Sequence, residues 1–275
     1  MTIVAPAMPR TLWERVRWAV SDAWTITQRD VAHWGREPIG VAFTLLFPIM
    51  MVLMFGYLFG GAISVPGGGN YLDFLLPGMF AMTMMFGVEA TMVAVNTAAA
   101  KGVTDRFRSM PMAPSAVVVG RSAADLLYSA LSLAALVACG LLIGWRWHNG
   151  AGAAMTALGL LLLLRFAMLW IGIYLGLCVR SPDAIAVVQT LVFPIGFVSS
   201  ALVAPETMPG WLGAIAEWNP MSSTVVAIRD LFGNPGSGGT SWVAENAFLM
   251  AIVWPLLIVA IFFPLSVRRY QRLSR

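Results

Sequence analysis

Charge is what this chain has least of. Only 11% of its 275 residues are Asp, Glu, Lys or Arg, against about a quarter in a soluble globular domain, which excludes that class. Lysine is nearly missing, since Lys101 is the single one and is followed by Gly102 and Val103. A phosphate-cradling loop of the type G-x-x-x-x-G-K-S/T therefore cannot be built. A Gly-x-Ser-x-Gly elbow, an HExxH pair and a cysteine cluster are lacking too, so catalytic and metal sites are not expected. The two cysteines, Cys139 and Cys178, lie in or at the end of apolar runs and give no disulfide framework. His33 and His148 stand alone, which speaks against zinc or haem. No apolar segment lies close to Met1, and no cleaved signal peptide is expected.

What is there is mostly hydrocarbon. Hydrophobic residues make up 59% of the chain and the mean hydropathy is +0.79. Apolar runs of roughly 20 residues recur along it, long enough to cross a bilayer as helices. The alternating ten-residue segments of a membrane barrel, about that length in such strands, do not occur. An all-α membrane protein is the expected class. The net charge of +4 and pI near 9.5 would suit nucleic acid. The arginines, however, fall between the apolar runs, as in cytoplasmic loops that face anionic lipid, so no nucleic-acid partner is expected.

Residues 1–40 read as a cytoplasmic amino-terminal region. Trp13, Val16, Val20, Trp24, Thr27, Val31 and Trp34 recur there at three- and four-residue steps, which places them on one stripe of a helix. Glu14, Arg15, Asp22, Arg29 and Asp30 fall off it. A helix lying in the membrane interface fits this pattern, as does a soluble helix packed on a partner. Pro38 ends the segment. Residues 41–275 read as one six-span domain, with spans at about 41–59, 76–100, 117–144, 151–179, 184–203 and 247–267.

The basic residues orient it. Taking loops alternately, one side holds Arg10, Arg15, Arg17, Arg29, Arg36, Lys101, Arg106, Arg108, Arg121, Arg180, Arg268, Arg269, Arg272 and Arg275, and the other only Arg146 and Arg229. A multi-pass plasma-membrane protein with both termini cytoplasmic is expected. Between the fifth and sixth spans, Met208-Pro209-Gly210-Trp211 opens a short apolar stretch to Trp218. Asn219-Pro220 breaks it, and proline at a first helical position suits a second short helix ending near Phe232. This pair reads either as an element dipping into the outer leaflet or as an ordinary outer cap.

Three ionisable residues lie inside predicted spans, where each costs at least about 2.5 kcal/mol at mid-depth. Glu89 and Arg165 come at similar depth, so a buried pair between them is possible. It would be a polar spot on a substrate path, or a purely structural pair, or Arg165 would snorkel. Asp125, one turn from Arg121, is expected to anchor the cytoplasmic end of the third span. The methionines Met50, Met51, Met54, Met79, Met82, Met84, Met85 and Met92 offer adaptable apolar surface for varied substrates, or ordinary packing.

The basic cytoplasmic loop from Val103 to Arg121 carries Pro111 and Pro114 and cannot continue either neighbouring helix. Its sequence RFRSMPMAPSAVVVGRSAADLL, the later LLIGWRWHNGA and PETMPGWLGAIAEWNPMSSTVVAIRDL together resemble ABC-2 type exporter permeases, most of all the daunorubicin-resistance permeases of actinobacteria. The family's lead into this loop is commonly acidic-basic-glycine, where this chain has Ala100-Lys101-Gly102. The resemblance implies a half-transporter for a drug or lipid, working with two separate ATPase subunits and a second permease, identical or paralogous. ATP and Mg would be bound by the ATPases and no cofactor by this chain. Asp105, Arg106, Arg108, Met110, Pro111 and Pro114 would form the coupling loop. The helix bearing Trp13, Trp24 and Trp34 would brace it, and Pro209, Trp211, Asn219, Pro220 and Arg229 would form an outer gate. A proton-driven transporter using Glu89, Asp125 and Arg165, or a non-transporting membrane scaffold, is the alternative.

Overall fold

The computed structural model describes residues 11–36, 38–59, 70–100, 114–179, 181–236, 239 and 241–272, and every regular element among them is helical. In chain order these are α1 (Leu12–Arg36), α2 (Pro38–Phe59), α3 (Tyr71–Ala100), α4 (Pro114–Leu142), α5 (Gly150–Cys178) and α6 (Pro182–Phe197). A single 3-10 turn (Pro205–Thr207) follows, then α7 (Gly210–Glu217), α8 (Pro220–Phe232), α9 (Trp242–Glu245) and α10 (Ala247–Arg272).

Local chemistry accounts for several of the helix starts. Thr11 and Glu14 form a capping box: the Glu14 amide donates to Thr11 Oγ1 and the Thr11 amide to Glu14 Oε2, both at 3.2 Å. Ser181 accepts from the Ala184 amide, with Pro182 at the first helical position of α6. Asn219 does the same for α8 through the Met221 amide, and Gly233 at φ 69° closes that helix in the left-handed conformation.

The centre of the bundle is the α3–α5 pair. Cβ atoms at Gly172 and Gly176 would lie 2.7 Å from the carbonyl oxygens of Val88 and Met92. Only glycine at this four-residue spacing lets the two helices approach so closely, the small-residue packing of membrane helices. Around this seam Phe80, Leu76, Leu161, Leu164, Trp145 and Phe232 are fully buried. Helix α10 lies along α5, with Phe263 edge-on to Trp170 at 4.7 Å. One end of the bundle gathers the starts of α3 and α5, the end of α4, and α8: the Arg229 guanidinium bonds the Phe74 carbonyl, and the His148 amide the Phe232 carbonyl. The other end gathers the ends of α3, α5 and α10, through Asn96 Nδ2 to the Val179 carbonyl and Arg269 Nε to that of Leu177.

Helix α1 lies against α4. Ala23 and Ile26 are buried, and the Thr27 hydroxyl donates to the Gly120 carbonyl at 2.9 Å. A Cβ on Gly120 would come within 2.9 Å of Ala23 Cα, so glycine permits this contact too. Trp13, Val20 and Trp24 are 76%, 63% and 59% exposed. On the helical wheel, at about 100° per residue, they flank the buried face, and Ser21, Thr25 and Arg29 lie beyond them.

Among the described residues four helical stretches are long and apolar enough to cross a membrane: Tyr71–Ala99, Val119–Leu142, Gly150–Cys178 and Ala247–Tyr270. Shorter apolar stretches, Leu45–Leu58 and Asp183–Phe197, stand where the first and fifth spans are expected. The fifth is a correction. Helix α6 ends at Phe197, not near Val203, and its 16 residues reach about 24 Å, short of a hydrocarbon core of about 30 Å. The chain then turns inward, burying Ser199, Ser200 and Ala201.

Candidate functional site

A cavity of about 370 Å³ opens between α2, α3, α4 and α6, within the range of small-molecule sites, about 300–1,000 Å³. Its wall is chiefly methionine and aromatic: Met51, Phe55, Met79, Met82, Phe86 and Phe193 all line it. Phe86 and Phe193 stack at 5.9 Å across α3 and α6. Pro48 of α2 also faces it; lacking an N–H, it frees one carbonyl of the preceding helical turn.

One corner of this wall is polar. Asp125, Tyr128, Ser129 and Ser132 line the cavity from α4 and Arg165 from α5. Arg165 is 1% exposed. Its Nη2 lies 2.7 Å from Asp125 Oδ1 and 2.8 Å from Thr91 Oγ1, and its Nε lies 2.7 Å from Ser129 Oγ. The Thr91 hydroxyl in turn donates to Asp125 Oδ2, and the Ser129 hydroxyl to the Asp125 carbonyl. Three helices are thus tied at one buried point, with the ion pair hydrogen-bonded on both members, as a charge out of water requires. The remaining guanidinium nitrogen, Nη1, is buried with no hydrogen-bond partner.

The Glu89–Arg165 pair that similar depth made possible is not the one formed. Arg165 takes Asp125 instead, and from α3 it meets Thr91. Equal depth brings two residues together only when they also share an azimuth. Two positions turn a helix by about 200°, so Glu89 lies on the far side of α3 from Thr91, and it has no ion pair or hydrogen bond among the described residues. Asp125, some three turns into α4 by the helical pitch of about 3.6 residues, directs its carboxylate across helices to Arg165 and Thr91.

The outer residues fall into two groups. Arg229 is completely buried. Its Nε and Nη2 donate to the Phe74 carbonyl at 3.1 and 2.9 Å, Nη1 to that of Ser200 at 2.8 Å, and Nη2 to that of Ala201 at 2.9 Å. The guanidinium also sits 3.8 Å above the Phe74 ring. Burial pushes its pKa below the ordinary arginine value, and the neighbouring Asp230 opposes that. Asn219 Nδ2 donates to the carbonyls of Ile195 and Val198 at 2.9 and 2.8 Å, so one side chain opens α8 and closes α6. Pro220 follows as the first residue of α8, and Pro209 precedes α7 as its cap. Trp211 is exposed, together with Ile215 and Trp218, on one face of α7.

Of the loop residues, Pro114 opens α4, and Asp105, Arg106, Arg108, Met110 and Pro111 lie outside the described residues. Trp13 and Trp24 are on the exposed stripe of α1, and the side chain of Trp34 is outside the described set. The polar stripe Asp125, Tyr128, Ser129 and Ser132 is the feature the sequence reading did not assemble. Its offsets of three, four and seven inside an apolar run mark one helical face, and polar side chains in a membrane helix turn inward.

A bundle of long apolar helices around a methionine-rich cavity, closed at one end by a broken pair of short helices, is the build of a membrane permease. The chain belongs to the ABC-2 type transporter family, which it matches over residues 21–232. It is 34% identical over 92% of its length, and 87% of the relative's, to the daunorubicin resistance ABC transporter permease protein DrrB1 of Streptomyces coeruleorubidus. It is also 26% identical to the doxorubicin resistance ABC transporter permease protein DrrB of Mycobacterium tuberculosis, over 79% of this chain and 72% of the relative.

Proposed function

We propose that this chain is the permease subunit of an ATP-driven exporter that carries a hydrophobic or amphiphilic compound outward, with the cavity as the compound's site. The observation that carries this reading is the cavity's lining. Methionine thioethers and aromatic rings conform to varied apolar shapes, and a single polar corner orients what sits there. The resistance functions named for the relatives agree with such a compound.

ATP, with Mg, is bound and hydrolysed in two separate ATPase subunits, because this chain lacks a phosphate loop. They engage the loop at residues 103–115, which carries Asp105, Arg106, Arg108, Met110, Pro111 and Pro114 and runs directly into α4. The packing of α1 on the first turns of α4 supports the bracing role: force applied at the loop would reach α1 and the Asp125–Arg165 junction through one continuous helix. Two permeases, identical or paralogous, complete the transporter.

The chain crosses the plasma membrane six times, by the four long helices and the two shorter apolar ones, α2 and α6, with α6 completed by the inward turn at 198–204. Both termini face the cytoplasm. In favour of this, Arg121, Arg268, Arg269 and Arg272 sit at the bundle end where α3, α5 and α10 finish, and Arg146 and Arg229 at the other. Helix α1 lies in the cytoplasmic interface with Trp13 and Trp24 toward lipid, and α7 dips into the outer leaflet with Trp211, Ile215 and Trp218 outward.

The test is transport in inside-out membrane vesicles from cells that co-express the chain with its ATPase. Met82→Trp, which fills the cavity from α3, should abolish ATP-dependent accumulation of a fluorescent amphiphile while membrane expression stays at the wild-type level. Wild-type accumulation by this variant would remove the cavity from the pathway.

A further inference from the structure

On the reading of the cavity as the carried compound's site, we infer that Arg165 Nη1 is a hydrogen-bond donor held in reserve for that compound, and that the compound presents a neutral carbonyl oxygen to it.

The geometry isolates this one atom. The other two guanidinium nitrogens are occupied by Asp125, Thr91 and Ser129, and Nη1 alone is buried with no partner. A buried donor left unmade costs stability, more so on a charged group, and a protein interior keeps few of them unless another molecule satisfies them. Nη1 lies on the side of Gly87, and Gly87 and Arg165 line the same cavity. A Cβ at Gly87 would fall 2.5 Å from Arg165 Cζ and collide with Nη1 as well. Glycine at this position is what makes room for the guanidinium itself, which lies flat against the α3 backbone at the edge of the cavity.

The charge balance narrows the class of ligand. Asp125, 2.7 Å from Nη2, already matches the charge of Arg165. The corner therefore offers a donor and no net positive charge. A carboxylate or phosphate placed against Nη1 would add an unmatched negative charge in an apolar wall, which is costly. A ketone, quinone, ester or amide oxygen accepts the hydrogen bond without that cost. The rest of the cavity, methionine and aromatic, suits a flat or flexible hydrocarbon body. Ser132, one turn along α4 from Ser129, adds a hydroxyl on the same wall.

The experiment compares two dyes on purified wild-type protein in detergent, corrected against empty micelles. One is the naphthyl ketone prodan, and the other its analogue with the ketone reduced to a methylene. The ketone should bind about tenfold more tightly, the worth of one hydrogen bond from a charged donor. Gly87→Ala, whose methyl collides with the guanidinium and displaces Nη1, should remove the preference, and Met82→Trp should weaken both dyes alike. Equal affinities of the two dyes for the wild-type protein would overturn the donor role. If Met82→Trp still weakened both, the cavity would stand as the binding site without that donor. If neither dye responded to Met82→Trp, the cavity reading would fall along with it. The wild-type comparison needs no variant to fold.

Discussion

Arg165 on α5 and Asp125 on α4 meet at 2.7 Å, nitrogen to oxygen, inside a bundle otherwise sealed by leucine, methionine and aromatic side chains. Thr91 of α3 joins them. The junction is an ion pair that ties three helices at the level of the cavity, so motion of one helix there is passed to the other two.

Removing one partner should be worse than removing both. Asp125→Leu leaves a buried guanidinium without its counter-charge, a loss of about 3–5 kcal/mol for a broken buried pair. The double change Asp125→Leu with Arg165→Met replaces the pair by hydrocarbon and should recover most of that stability. Thermal midpoints in detergent check this. A double variant less stable than Asp125→Leu alone would mean that the hydroxyl partners, not the ion pair, dominate the junction.

Arg229 should act as a structural clamp. Arg229→Lys keeps the charge but cannot reach three carbonyls or stack flat on Phe74, because an ammonium lacks the planar fork. At about 1.5 kcal/mol or more for each charged hydrogen bond lost, the turn at 198–204 should loosen. Faster amide exchange at Ser200 and Ala201, with exchange in α5 unchanged, is the expected result.

Trp24 should sit at lipid depth and Thr25 in water, although they are neighbours. They point about 100° apart on α1, and both are exposed. A nitroxide at Trp24→Cys should be relaxed chiefly by oxygen, and one at Thr25→Cys by a water-soluble nickel chelate. Equal accessibility to the chelate would take the stripe out of the membrane interface.

Much of this architecture was legible in residue order. The break at Asn219-Pro220, the short helices on either side of it and the end at Phe232 follow from capping chemistry and proline's missing donor, which act within a few residues. Long apolar runs marked the four helical stretches that are long and apolar enough to cross a membrane. The end of α6 was not legible, because Ser199 and Ser200 are the only polar residues between Phe197 and Val203 and neither forces a break, while the helix stops at Phe197. What ends it is remote: Asn219 holds the carbonyls of Ile195 and Val198, and Arg229 those of Ser200 and Ala201. The ion pair was half legible. Sequence gives the depth of Glu89 and Arg165 but places Asp125 only by its neighbour Arg121, and azimuth depends on which face of α3 the glycines of α5 select. The Asp125, Tyr128, Ser129 and Ser132 stripe carried that azimuth in its spacing.

The measurement that bears most directly on the account is purification of the tagged chain from its native membrane in mild detergent, with co-purifying subunits identified and their ATP hydrolysis assayed. An ATPase bearing a phosphate-loop motif should co-purify, and its activity in the complex should fall several-fold when Pro111→Ala or Arg106→Ala is introduced, with the two proteins still bound. Recovery of the chain alone, with transport that persists without ATP and collapses with the proton gradient, would contradict it.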